Sequence, residues 1–452
     1  MLLKGDSNIA TLVQSTGLTG KMIREALFVL IHHSIVLYNP TSSPSTLYRL
    51  DVDAILNRVA YGQVVAKVAE NFSVEVADLL LEIIVAGRVK FDISDHSEAL
   101  KSLITEGIVE VVTAEMCQFS HEPTAIAAST SEKRKLDEEL LFPSINKKSK
   151  TTTEFSEIFI RFKSKETIFR FIFTEKLVEN VTRRLNKSAG KVVETILGLS
   201  SSLLTETQIT FNTFQLTQKL PKDLNFPLET SSTAGGLAAS PLLQYLHLLA
   251  QNFDYLQAQT SLGANAFSFN VTKALRHLRL MIIESFIRAR FGLPSARIFK
   301  ILISKRMYEE RQIAKVAMIT SKEVRERLYS LLKIGLVYLQ EVPKSADHAP
   351  SRTIFLWSVP ERVNFLKPSK SALFRTFASK LIVGIVNLRD LMVLERRKHA
   401  QLLEKVERSD VASNLDLLSQ GEQKQLADLK KVLKVLSVKI DQIFNDFLIF
   451  KE

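Results

Sequence analysis

ARIFKILISKRMYEERQIAKVAMITSKEVRERLYSLLKIGLVYLQEVPKSADHAPSRTIFLWSVP, residues 296–360, is the stretch from which the fold can be read. Ile298, Ile301 and Leu302 share one helical face across residues 296–306, and a shorter helix follows over residues 309–316. Thr320 offers an N-cap with Glu323 as its capping-box partner, ahead of Val324, Leu328, Leu331 and Leu332 at helical spacing. Gly335 closes that helix. Two β-rich runs, residues 336–342 and 353–359, flank a loop holding Pro343 and Pro350, which no helix crosses.

Three helices followed by a two-stranded wing make a winged helix, and the pattern recurs upstream. Residues 9–16 predict a short helix, Gly17 a turn, and residues 19–33 a second helix with Met22, Ala26, Leu27, Leu30 and Ile31 inward. Residues 35–38 and 46–50 form its wing, split by the turn-rich NPTSSPS. In residues 54–112, helices are expected over 61–69, 76–86 and 97–106, with short strands over 88–91 and 108–112. Residues 121–153 lose the apolar period and read as a solvated linker. Helices are expected over 155–180 and 189–203, then an irregular insertion reaching Leu237, then a helix over 241–251 capped by Ser240. Residues 254–259 and 266–271 suggest another wing, and 272–291 a long helix.

Beyond Lys370 the wing pattern stops. Phe374, Phe377, Leu381, Leu388 and Leu391 follow an interrupted heptad. After a break near Asn414 and Gly421, Leu426, Leu429, Leu433, Leu436, Ile440, Ile443 and Phe447 alternate steps of three and four. Two such helices predict an antiparallel hairpin whose second arm reaches about 45 Å, and the stripe is a candidate partner interface. The expected fold class is therefore mainly α with small β-wings. Its expected domains are winged helices at 1–53, 54–118, 154–287 and 288–365, a linker at 119–153 and the hairpin at 366–452.

The chain of 452 residues is 46% hydrophobic, with 27 Phe against 15 Gly and 12 Pro, enough to fill several helical cores. Sixty basic against 48 acidic side chains give +12, a balance that favours polyanions. A single cysteine, Cys117, excludes an internal disulfide framework. No apolar run has the length of a membrane span. Lys133 and Arg134 stand twelve residues before Lys147, Lys148 and Lys150, the spacing of a two-part nuclear import signal.

No GxxxxGK(S/T), helix-opening GxGxxG, HExxH or GxSxG is present. GLTGK at 17–21 lacks the preceding strand of a phosphate loop and reads as a turn, while Asp51 and Asp53 read as helix caps ahead of a magnesium pair. His32 and His33 are adjacent, so on a helix they diverge by about 100° and do not chelate together. No catalytic, cofactor or metal site is expected. Winged helices lay their third helix in the major groove and reach phosphate with the wing. The candidate DNA contacts are therefore Lys21 and Arg24, Lys322 and Arg325, and the wing residues Lys344, His348 and Arg352. Glu323 and Glu326 interleave with the α-helical cations Lys322, Arg325 and Arg327, which weakens a direct sequence-reading role. Trp357 is expected in the core or at a subunit contact.

RFGLPSARIFKILISK, AMITSKEVRERLYSLL and LQEVPKSADHAPSRTIFLWSV, in this order, resemble the third-largest subunit of RNA polymerase III, a family related to the alpha chain of general transcription factor IIE. The family carries a further helix ahead of the first pair, for which this chain begins late. The resemblance implies a non-catalytic nuclear subunit on the clamp side of the polymerase. It also implies contacts with the other subunits, the initiation subcomplex, the clamp of the largest subunit, initiation factors and promoter DNA. Its role would be initiation and promoter opening at genes for transfer RNA and 5S RNA. Two other readings compete: a winged-helix scaffold of another nuclear assembly, and a free-standing DNA-binding transcription factor.

Overall fold

The computed structural model describes residues 2, 5–39, 46–91, 98–112, 158–200, 202–221, 241–259, 266–305, 307–343, 353–359, 372–407 and 420–451. The chain divides into two compact units, Met1–Glu175 with Val193–Thr207, and Lys176–Val192 with Gln208–Glu452.

The first unit opens with helices α1 (Ile9–Thr16) and α2 (Gly20–His32) and strands β1 (Val36–Asn39) and β2 (Leu47–Leu50). Asn8 starts α1 because its Oδ1 accepts the Thr11 N–H at 2.8 Å while Thr11 Oγ1 accepts the Asn8 N–H at 3.1 Å. Leu12, Ile23, Leu27 and Val36 form the core beneath. Ile23 replaces the expected Met22, which is 52% exposed, and Ala26 is exposed as well. GKMIREALFVLIH has apolar residues on two overlapping faces, and the hydropathy period alone does not select between them. Beside β2, Ser7 exchanges two backbone hydrogen bonds with Tyr48, at 3.1 and 2.9 Å, as a single bridge.

The unit continues through α3 (Val52–Asn57), α4 (Tyr61–Asn71), α5 (Val74–Ala86), β3 (Val89–Phe91), α6 (Glu98–Thr105), β4 (Val109–Val111) and β5 (Ile158–Phe162). Strand β5 lies between β3 and β4, antiparallel to both, with Ile160 opposite Val89 on one side and Val111 on the other. Two expectations change here. The helix predicted from 155 begins only at Ser164, and a domain boundary at 118 would cut this sheet. In IFIRF, Ile160 and Phe162 are buried while Arg161 points the other way to Glu110, a strand alternation too short to stand out beside a Phe-rich helix.

Helices α7 (Ser164–Arg184) and α8 (Lys187–Leu197) contribute to both units. The second unit then contains β6 (Gln208–Asn212), α9 (Thr213–Lys219), α10 (Pro241–Asn252), β7 (Leu256–Ala258), β8 (Ala266–Asn270) and α11 (Val271–Ser304). Part of the expected insertion is thus a strand and a helix, because Ile209 and Phe211 alternate inward between exposed Gln208, Thr210 and Asn212. Helix α11 bends at Gly292, whose φ of 82° only glycine adopts readily, just ahead of Pro294.

After this bend come β9 (Tyr308–Glu309), α12 (Glu310–Ala317), α13 (Ser321–Ile334), β10 (Tyr338–Pro343) and β11 (Thr353–Ser358). The two-residue β9 was not legible from its pattern; it pairs Tyr308 with Trp357. Trp357, 2% exposed, is a core residue with Tyr329 edge-on at 5.4 Å. The sheets read β3-β5-β4, β6-β8-β7 and β9-β11-β10, each with its last strand in the middle. The Ser7 bridge beside β2 gives the first sheet the same order in reduced form. A winged-helix plan is repeated along the chain.

The chain ends in α14 (Ala372–Glu407) and α15 (Gln420–Lys451), which pack together as the expected hairpin. The end of α15 is anchored. Phe444, Phe447, Leu448, Ile449 and Phe450 are buried, the buried Arg279 of α11 donates from Nε to the Ile449 carbonyl at 2.9 Å, and Lys176 meets Asp446 at 2.7 Å.

Within the second unit, Gly190 of α8 faces Thr182 and Val178 of α7 so closely that a Cβ there would overlap the Thr182 hydroxyl. Gly190→Ala is expected to destabilise the unit by about 1–3 kcal/mol in urea unfolding. Adding Thr182→Ala should restore most of the loss; an unchanged midpoint for the single variant would contradict this helix contact.

Candidate nucleic-acid interface

In each winged helix the helix preceding the last two strands is the one that would enter a DNA groove. The four such helices, α2, α6, α10 and α13, differ sharply in charge. Helix α10, PLLQYLHLLAQN, carries no Lys or Arg, and α6 carries only Lys101.

On α2, Lys21 and Arg24 are exposed, and neither has a carboxylate partner among the described residues. Arg24 is steadied by its Nε donating to the Gly20 carbonyl at 3.1 Å. On α13 Lys322 and, in the last turn, Lys333 stand exposed without such a tie among the described residues. Arg325 forms a two-pronged contact with Glu310 of α12, both bonds at 3.0 Å. Arg327 donates to the Phe291 carbonyl at 2.7 Å and to Glu323 at 3.3 Å. Arg325 and Arg327 therefore hold α13 against its neighbours, a role that spacing alone did not reveal because both acceptors beyond the helix are remote in sequence.

Lys344, His348 and Arg352, and the import candidates Lys133, Arg134, Lys147, Lys148 and Lys150, lie outside the described residues. Asp51 accepts the Asp53 and Ala54 N–H groups at 3.0 and 3.2 Å, as a helix cap does. Among the described residues no group of three metal-ligating side chains occurs, and no helix is long and apolar enough to cross a membrane.

Residues 283–359 match the family model described as POLR3C, C-terminal winged-helix domain. The DNA-directed RNA polymerase III subunit RPC3 of Bos taurus is 25% identical, covering 96% of this chain and 87% of the cow protein. The Homo sapiens RPC3 gives the same figures. The Danio rerio RPC3 is 31% identical over 57% of this chain and 45% of its own. Along nearly its whole length the chain is similar to RPC3 proteins.

The C-terminal stripe serves the hairpin itself. Leu429, Leu433, Leu436, Ile440 and Ile443 are half-buried on α15, which packs on α14, and Phe447 enters the core at 6% exposure. The side chain of Leu426 is not among those described. The expected partner interface is thus an internal seam, since two long helices bury their best heptad against each other first. A second apolar set is left outside: Ile382, Val386 and Val393 of α14 are 45%, 50% and 39% exposed. Their spacing of four and seven residues aligns them on one helical face, a signal hidden by the stronger stripe.

One titratable group has a distinctive setting. His277 of α11 sits edge-on to Tyr255 and Phe253, its Nε2 buried without a hydrogen-bond partner. Burial first, and the charge of Arg184 second, hold its pKa below the usual 6.5. Below pH 6.5 the unfolded chain binds this proton more readily than the folded one, so stability falls as pH drops below that value. His277→Gln is expected to reduce the fall in thermal midpoint between pH 7 and pH 5; an identical fall in both proteins would contradict it.

Proposed function

We propose that this protein is a nuclear subunit of RNA polymerase III, holds no catalytic site of its own, and acts in transcription initiation. The observation that carries the reading is its similarity to RPC3 proteins over 96% of the chain, hairpin included. The repeated winged helices supply surfaces for initiation factors and promoter DNA near the site of duplex opening, at genes for transfer RNA and 5S RNA. Catalysis stays with the largest subunits. Lys21 and Arg24 on α2 and Lys322 on α13 are the exposed helical cations suited to DNA phosphates. By sequence, Lys344, His348 and Arg352 are further candidate phosphate contacts, and Lys133, Arg134, Lys147, Lys148 and Lys150 are the candidate import signal. Engagement of Arg325 and Arg327 within the fold argues against a free-standing sequence reader. The outward face of α14 is the natural seat for the clamp of the largest subunit, because an exposed apolar helix face on a subunit is covered in its assembly.

Affinity purification of the tagged protein from nuclear extract at moderate salt, followed by mass spectrometry, tests the reading. Polymerase III subunits should return in matched amounts. Recovery of a different stable assembly would replace the proposal with a scaffold, and recovery alone with tight binding to one DNA sequence would replace it with a transcription factor.

A further inference from the structure

A groove of about 650 Å³ opens within the second unit between the C-terminal half of α7, the body of α11 and the end of α15. Five cations line it, Lys176, Arg183, Arg184, Arg288 and Lys300, against three carboxylates, Glu179, Glu284 and Asp446. Arg183 and Arg288 are paired only to carboxylates one turn away on their own helices, Glu179 and Glu284, and their side chains remain 74% and 59% exposed. Exposed helical pairs of this kind are weak, so an arriving anion can take over both arginines. Lys300 is 3.9 Å from Glu284 and 69% exposed, and Arg184 has no ion pair among the described residues. Asn180 is the built element of the site. Its side chain is 3% exposed, yet its Nδ2 finds no acceptor. A buried amide left without a partner is costly unless a ligand supplies one.

The chemistry of the lining selects the ligand class. Its apolar members, among them Leu278, Met281 and Ile282, include no aromatic ring, so a base has no platform to stack on. The cations are spread from Lys176 to Arg184, about 12 Å along α7, and continue onto α11. Such an array suits a chain that carries one charge per nucleotide.

We propose that this groove binds the sugar–phosphate backbone of a nucleic acid without reading its sequence, Arg183, Arg184, Arg288 and Lys300 neutralising neighbouring phosphates beside the buried Asn180 amide. The inference rests on the reading of the protein as a polymerase subunit close to promoter DNA. It adds a contact made by residues outside the groove-reading helices.

The test is fluorescence anisotropy of the purified full-length chain with labelled single-stranded and duplex DNA of mixed sequence, across a salt series, with polyglutamate and inorganic phosphate as competitors. The double variant Arg184→Gln/Lys300→Gln should weaken binding about tenfold or more at 0.1 M salt and flatten the log affinity–log salt slope by about 0.7–0.9 per lost phosphate. Arg183→Gln, at a well exposed position, should show a smaller loss with an unchanged melting curve and covers the case in which the double variant misfolds. Inorganic phosphate should compete only at concentrations far above those of DNA, as a single small ion against an array. DNA affinity that survives the groove variants but is lost in Lys21→Gln/Arg24→Gln would overturn the groove while leaving the polymerase reading intact. Absence of DNA binding by the intact chain would overturn both the groove and the DNA contact assigned to the subunit. Polyglutamate binding as tight as DNA would make the groove an acidic-peptide site instead.

Discussion

A chain ending at Asp446 should lose the cooperative melting of its second unit. The six residues removed include Phe447, Leu448, Ile449 and Phe450, each 6% exposed or less. Burial of such a side chain contributes about 1.5–3 kcal/mol. Four of them approach the roughly 5–15 kcal/mol that stabilise a typical domain. The same cut removes the Ile449 carbonyl that accepts from Arg279, leaving a 2%-exposed guanidinium short of an acceptor. Differential scanning calorimetry should show the second unit's transition shifted down by more than 10 °C or absent. Arg279→Met provides the graded version, expected to lower the midpoint by less, because it removes one hydrogen bond and keeps the aliphatic packing. A truncated chain that melts with the full-length protein would mean that the end of α15 is not a structural anchor.

The second large effect concerns assembly. Ile382→Glu/Val386→Glu/Val393→Glu places three charges on a face that is already in water, so the melting curve of the isolated chain should change little. In a partner interface each buried glutamate would need desolvation without a counter-charge. Recovery of polymerase III subunits with the tagged variant should therefore fall at least tenfold. Ile440→Glu is the contrast: on the inner seam it should disrupt the hairpin before assembly is reached. Equal recovery with the triple variant and the unaltered protein would remove the outer face of α14 from the interface.

These two predictions mark how far the sequence could be read. Its local signals determined the main elements: the caps at Thr320 and Gly335, the helical stripe of α13, the wing strands β10 and β11, and the two long arms of the hairpin. Each rests on residues a few positions apart, so composition and period suffice. What only the tertiary structure decided involves partners distant in the chain. Strand β5 pairs with β3 and β4 across a long intervening segment, and β9 is a strand only because β11 lies beside it. Arg325 and Arg327 look like DNA contacts on a helical wheel, and become struts once Glu310 and the Phe291 carbonyl come within reach. The stripe from Leu429 to Phe447 marks burial without saying against what. Packing turned it inward, because apolar area is removed from water at least entropic expense against the helix already tethered to it, and left the face of Ile382, Val386 and Val393 exposed.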